Sequence, residues 1–324
     1  MRMDIAACTD RHFVMPTGVM MQSVCVNNPD VDIVFHIILD ENVKAGARQD
    51  LEGIVAPYAG KSVAFYNVSD ELQKKSFPRG WIGRNDVTKA TYYRLYFAEL
   101  LPQDLDKVLY LDGDVIVRHS LLPLWNIDMG DNAVAAANDC SCGCFEYYNR
   151  LKYPFDLGYF NAGVLLVNLK YWREHQVLKN FESYMEKHAD SVKMYDQDVL
   201  NVVFRNKKVF FPIKYNLQHP FLWRENVAYD YWKLEKEVLE ARMDPCIIHF
   251  TGTAKPWRKY QAEPHPFSST WYKYQDMTKW KGVKYEHRTR KQRMRRFVGN
   301  VLRMLRLLPP LQQNRRFLDV APID

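Results

Sequence analysis

The chain has 324 residues, 47% of them hydrophobic and 14% aromatic, with a formal net charge of +7. That length suits two domains, or one α/β domain with an appendage, and the apolar fraction is sufficient for a large core. No run of about 18 apolar residues offers a membrane-spanning helix, MRMDIAAC reaches Asp10 too soon for a signal peptide, and six cysteines in a chain this long are not a disulfide framework, so the expected compartment is the cytoplasm.

In chain order, Met3–Thr9 is expected as a short strand with Asp10 at its end, followed by Phe13 and Pro16. Thr17–Val26 reads as a helix, Val31–Leu39 as a strand, Val43–Val55 as a helix ended near Pro57, and Ser62–Tyr66 as a third strand. This alternation argues for a parallel α/β sheet with right-handed crossovers, in which ligands bind beyond the carboxyl ends of the strands. Thr88–Leu101 is expected to be a helix that carries Arg94 toward the following strand. Asn132–Asn138 is a strand delivering Asp139, and Tyr147–Leu157, aromatic and basic, suits a loop over a site. Phe160–Leu169 is strand-like, Tyr171–His188 a helix, and Tyr195–Asn201 a helix start with acidic residues in its first turn. Cys246–Phe250 is a last strand containing His249, after which come Gly252 and Lys255.

The stretch Lys107–Arg118, KVLYLDGDVIVR, carries the strongest chemical signal. Its short apolar runs read as strands. Residues two apart on an extended chain point the same way, so Asp112 and Asp114 can converge on one ligand, while Gly113 allows close approach. Two carboxylates at the end of a buried strand are costly unless a cation pairs with them, and a divalent metal carrying a diphosphate would do so. Asp-X-Asp arises about once by chance in a chain of this size, and a solvated turn is the alternative. Asp112 and Asp114 with His249 form a donor set suited to Mg²⁺ or Mn²⁺, the imidazole favouring Mn²⁺. Lys255 can neutralise a phosphate. Cys140, Cys142 and Cys144 have C-x-C-x-C spacing rather than the C-x2-C of zinc sites, and are read as reduced thiols on a loop.

Basic residues concentrate after about residue 279. Over Arg288–Leu308, Met294, Phe297, Val298, Val301, Leu302, Leu305 and Leu308 recur at helical spacing among arginines, and Pro309 and Pro310 end the pattern. A basic amphipathic helix on an anionic membrane surface fits this pattern, with docking on the domain as the alternative. No further basic-aromatic patch supports nucleic acid as a partner.

The blocks MDIAACTD, KVLYLDGDVIV, SLLPLWNID, YFNAGVLLVNLKYW, DQDVLN and HFTGTAKPW stand in this order between Met3 and Trp257. With them the sequence resembles glycosyltransferase family 8, in particular the bacterial galactosyl- and glucosyltransferases of lipopolysaccharide and lipooligosaccharide outer core. The resemblance implies an α/β GT-A fold, Rossmann-like with a mostly parallel sheet flanked by helices. Residues 1–270 would form it, and 271–324 the basic extension. It further implies a UDP-galactose or UDP-glucose donor, bound Mn²⁺ (or Mg²⁺), and transfer with retention to a saccharide acceptor in surface-glycan synthesis. That acceptor would be lipid-linked, protein-linked or capsular, and the enzyme would sit peripherally on the inner face of the membrane. Position by position, Asp112, Asp114 and His249 match metal ligands. Cys8, Thr9, Asp10 and Phe13 match uridine contacts, whereas His12 stands where an asparagine is usual. Gly113 falls within the metal motif, and Gly252 and Lys255 match the diphosphate segment. Arg94, Asp139, Asn161, Ala162, Asp196 and Gln197 match positions around the donor sugar. Gln197 matches the residue beneath the reacting carbon; an amide there favours front-face attack over a covalent route through Asp196 or Gln197. Asp139 and Asp196 are read as orienting sugar hydroxyls. A UDP-sugar-binding protein without transfer activity and a metal-dependent phosphohydrolase are the competing readings.

Overall fold

In the computed structural model, which describes residues 1–68, 74–75, 77–78, 88–223, 234–252, 255–259, 264–285 and 290–308, the short apolar runs form strands and amphipathic segments connect them. The first half contains β1 (Arg2–Thr9), α1 (Val14–Asn27), β2 (Asp32–Leu39), α2 (Gly46–Val55), β3 (Lys61–Asn67), a 3₁₀ helix over Lys89–Tyr96, α3 (Phe97–Leu100), β4 (Lys107–Leu111), β5 (Val115–Val117), α4 (Leu122–Trp125), β6 (Val134–Asn138) and α5 (Phe145–Leu151). The second half contains β7 (Phe160–Asn168), α6 (Leu169–Glu174), α7 (Val177–Lys187), α8 (Asp196–Val203), β8 (Lys208–Phe210), β9 (Leu217–Gln218), α9 (Glu235–Met243), β10 (Ile247–His249), α10 (Ser268–Gln275) and α11 (Arg290–Met304).

Seven strands form one sheet in the order β3-β2-β1-β4-β7-β6-β8. All neighbours are parallel except β7, which runs antiparallel to both β4 and β6. Both faces are buried. Along β1, Ile5 and Ala7 enter one apolar cluster while Ala6 and Cys8 enter the other, and Leu109 and Tyr110 divide in the same way on β4. Period-two alternation between two apolar faces explains why these strands read as continuous hydrophobic runs.

A second sheet, β5-β10-β9, creates the functional geometry. The chain leaves the large sheet at Leu111, turns through Asp112–Gly113–Asp114, and enters the small sheet at Val115. β10 pairs antiparallel with β5, setting His249 opposite Val115. The register therefore brings the imidazole beside the Asp-Gly-Asp turn from 135 residues away in sequence, the difference between 249 and 114.

Three expected elements take another form. Thr88–Leu101 is a 3₁₀ helix followed by one α-turn. Arg94 Nε donates to the Thr91 carbonyl at 3.1 Å, and the crowded tyrosines Tyr92, Tyr93 and Tyr96 are all buried against the sheet. The loop expected over Tyr147–Leu157 contains α5 and a 3₁₀ turn, Phe155–Leu157. These are held together by ring contacts from Tyr148 to Tyr153 at 5.2 Å and to Phe155 at 4.8 Å. The helix expected over Tyr171–His188 is broken between α6 and α7, where Gln176 has φ 46°. The division expected at residue 270 falls inside α10, whose Trp271 and Tyr274 lie in the core. Beyond it, α11 exposes Met294, Phe297 and Val298. Arg288, Pro309, Pro310 and the rest of the tail lie outside the described residues. No helix among the described residues is long and apolar enough to cross a membrane.

Candidate active site

At the carboxyl ends of β1 and β4 lies a cleft of about 200 Å³. Cys8, Asp10, Phe13, Arg94, Asp112, Gly113, Asp114, Gly252 and Lys255 line it, together with Thr88, Thr91 and Tyr110. Most residues singled out from the sequence therefore share one surface. Thr9 is fully buried, its hydroxyl accepting from Thr17 at 3.2 Å. Asp10 accepts from Thr88 Oγ1 at 2.7 Å and from the His12 and Phe13 N–H groups at 2.8 and 3.1 Å, so it holds its own turn. Phe13 meets Trp257 edge-on at 6.1 Å. His12 is exposed.

Asp112, Asp114 and His249 bring one ligand atom each to within 4.8 Å of one another, the one such cluster among the described residues. His249 Nε2 is 3.2 Å from Asp114 Oδ1 and 3.6 Å from Asp112 Oδ2. Two carboxylates and an imidazole fit a divalent cation of the Mn²⁺ or Mg²⁺ type. Lys255 pairs with Asp114 and also donates to the Phe250 carbonyl at 2.5 Å. Burial alone would raise the Asp114 carboxyl; Lys255 and His249 outweigh it and hold the group well below the usual carboxylate range. Gly252 turns the chain between His249 and Lys255 with φ +72°, a conformation that favours glycine.

The second half of the site is a buried polar cluster behind the metal group. Arg94 bridges Asp112 Oδ1 at 3.0 Å and Asp196 Oδ2 at 3.1 Å, and stacks over the Tyr110 ring at 4.2 Å. Its burial disfavours the charge, but the two carboxylates outweigh this and raise its pKa. Burial pushes Asp196 up to about 6 despite Arg94 and the Thr91 hydroxyl. Asp139 Oδ2 accepts from Asn161 Nδ2 at 2.9 Å and Gln197 Nε2 at 3.2 Å. Gln197 Oε1 accepts from Ala162 N at 3.0 Å. The main-chain groups of Ala162 are both used internally, since its carbonyl also accepts from Arg94 Nη1 at 2.5 Å.

The turn entering α8 is set by Asp198. It accepts from the Lys193 and Met194 N–H groups at 2.7 Å each, from Arg150 Nη1 at 2.6 Å and from Tyr159 Oη at 2.7 Å. Between them Tyr195 adopts φ 55° and ψ −134°, a conformation costly for a non-glycine residue. Helix α8 begins immediately after it, presenting Asp196 and Gln197.

Sequence reasoning missed four participants. Tyr110 donates to Asp112; its two-residue spacing from Asp112 at the end of the strand was the available signal. Asn216 Oδ1 lies 2.8 Å from His249 Nδ1, and Gln218 Oε1 accepts from Cys140 N at 2.8 Å. Neither carried a sequence signal, because only the pairing of β9 with β10 brings them in. Gly163 is the fourth: a Cβ there would stand 2.1 Å from His249 Cε1. Cys140, Cys142 and Cys144 lie beside Asp139, and no disulfide joins any of the six cysteines.

Known proteins resemble this chain in sequence and in fold. The profile of glycosyl transferase family 8 matches residues 4–261. General stress protein A of Bacillus subtilis (strain 168) is 24% identical over 87% of this chain and 96% of its own. The lipopolysaccharide 1,3-galactosyltransferase of Salmonella typhimurium is 26% identical over 81% of this chain and 75% of its own. Among solved structures, galactosyltransferase LgtC in complex with donor and acceptor sugar analogs superposes with a TM-score of 0.75 at 29% identity, covering 86% of this chain and 96% of that one. The fold is thus GT-A-like, and the family match spans both the Asp-Gly-Asp turn of the large sheet and the His249 strand of the small one. The chain belongs to glycosyl transferase family 8.

Proposed function

We propose that the protein transfers galactose or glucose from a UDP-sugar to a saccharide acceptor in surface-glycan synthesis, with retention of anomeric configuration and dependence on Mn²⁺ or Mg²⁺. The observation that carries this reading is the Asp112–Asp114–His249 group facing a cleft that also holds Lys255. Two opposed chemistries meet there: an acidic metal end and, behind it, hydroxyl-binding amides and carboxylates. When bound, the metal would neutralise charge developing on the departing diphosphate. Lys255, paired with Asp114, is placed to share that task. Asp10 and Phe13 line the end of the cleft assigned to uridine.

Asp139, Asn161, Asp196 and Gln197 are assigned to the sugar. Front-face attack is favoured because every nearby carboxylate is already engaged. Asp139 is held by two amides, Asp196 by Thr91 and Arg94, and Asp198 by Arg150, Tyr159 and two backbone N–H groups. A carboxylate so occupied is a poor nucleophile. The acceptor hydroxyl then enters on the face the leaving group vacates and passes its proton to the departing phosphate oxygen. The names of the lipopolysaccharide transferases among the relatives support a lipopolysaccharide or similar acceptor. The exposed apolar and basic residues of α11 support attachment to an anionic membrane surface. The test is UDP release from UDP-galactose and UDP-glucose with Mn²⁺, with and without EDTA. Release from one donor, lost with EDTA, is expected; absence of UDP binding altogether would overturn the reading.

A further inference from the structure

The polar chain beneath the cleft has proton positions that one backbone amide dictates. A backbone N–H can only donate. Gly163 N lies 2.9 Å from Asn161 Oδ1, which assigns that atom as the oxygen. Asn161 Nδ2 therefore points at Asp139 Oδ2, 2.9 Å away, and Gln197 Oε1, 3.2 Å away. Asn161 Oδ1 has a second partner, Asn216 Nδ2, at 2.9 Å. With its amide nitrogen committed to Asn161, Asn216 must present its oxygen to His249 Nδ1, at 2.8 Å. An amide oxygen only accepts, so Nδ1 carries a proton. Nε2 is then the nitrogen offered to the Asp112–Asp114 side.

We propose that Asn216 is a positioning residue that ties the metal end of the site to its sugar end. It presets the His249 tautomer and, through Asn161, holds the amide pair that grips Asp139. Asn216 is fully buried, and it precedes β9, whose register against β10 sets Leu217 opposite Ile248 and Gln218 opposite His249. The link is therefore built on paired backbone. Partners of this type behind a ligand imidazole typically change metal affinity by about 10- to 100-fold when removed. The inference rests on the metal-dependent reading above, and its test separates the two.

Mn²⁺ binding to the purified protein with UDP would be followed by electron paramagnetic resonance. Asn216→Ala is expected to weaken it by roughly 10- to 100-fold. Asn216→Asp keeps an acceptor for His249 but has no N–H for Asn161. It is expected to recover most of the Mn²⁺ affinity while sugar transfer stays slow, a split that general destabilisation would not produce. Wild-type Mn²⁺ affinity in Asn216→Ala would overturn the proposal. The second measurement is nitrogen-15 NMR of His249 in the metal-free wild-type protein at pH 9. A protonated Nδ1 is expected, and an unprotonated Nδ1 would overturn the proposal even if Asn216→Ala did not fold. Failure of the wild type to bind Mn²⁺ with UDP would instead count against the functional reading, leaving the nitrogen measurement to decide the tautomer.

Discussion

An alanine at position 163 would place its Cβ 2.1 Å from His249 Cε1 and 2.8 Å from Asp112 Oδ2. Neither neighbour is a flexible chain end, so one of the two proposed metal ligands must move. Gly163→Ala is expected to cost about 1–3 kcal/mol and to weaken Mn²⁺ binding, read by urea unfolding and by titration. Asp112→Ala leaves Arg94 with a single carboxylate and removes a proposed metal ligand; UDP release should fall by roughly 10²-fold or more and lose its response to EDTA. Gln197→Ala should slow transfer yet leave measurable turnover; a trapped glycosyl-enzyme with complete loss would refute front-face attack. Asp196 has its carboxyl raised from 3.8 to about 6. A raised carboxyl stabilises the fold in its protonated form. That contribution is complete below about pH 4 and is lost as pH rises through about 6. Asp196→Asn should therefore flatten the metal-free protein's stability profile between those limits, measured as urea midpoints at each pH.

At the scale of elements, the turn that presents Asp196 and Gln197 depends on a tie between two helices. Arg150 on α5 meets Asp198 on α8 at 2.6 and 3.1 Å, and the Asp198 side chain has no exposure. Removing the cation leaves a buried carboxylate whose other partners hold the strained turn at Tyr195. Arg150→Met should cost about 3–5 kcal/mol, and hydrogen exchange should rise over Lys193–Gln197 rather than across the large sheet. A uniform rise would mean that the tie has no local role. This coupling also accounts for the helix at Phe145–Leu151 where a loop was expected. Its aromatic residues pack on Tyr153, Phe155 and Tyr159, and Arg150 has a buried partner 48 residues away. Neither condition is visible in local propensity, which registers only an irregular aromatic stretch.

For the molecule as a whole, the formal +7 is unevenly distributed, and α11 carries exposed Phe297 and Met294 among basic residues. A variant truncated after Tyr285 should keep UDP release but lose flotation with anionic vesicles, and full-length binding should weaken with salt. Equal vesicle binding by both proteins would refute the tail's role. The sequence alone determined the strand–helix alternation, the Asp-Gly-Asp turn and most of the cleft lining. These depend on short-range periodicity and on motifs whose members are neighbours in the chain. It misjudged the segments around Arg94, Phe145 and Gln176, where buried side chains override propensity. Tertiary structure alone decided that β5 leaves the large sheet to pair with β10, and that β10 pairs with β9. The first joins Val115 to His249 across more than a hundred intervening positions and the second joins Leu217 to Ile248 across about thirty, and no local pattern encodes either. They place His249 beside Asp114, and Asn216 behind His249. The carboxylates were legible because strand geometry aims them together, whereas the orientation of their histidine depends on Asn216 and Asn161, which only the folded sheets bring near.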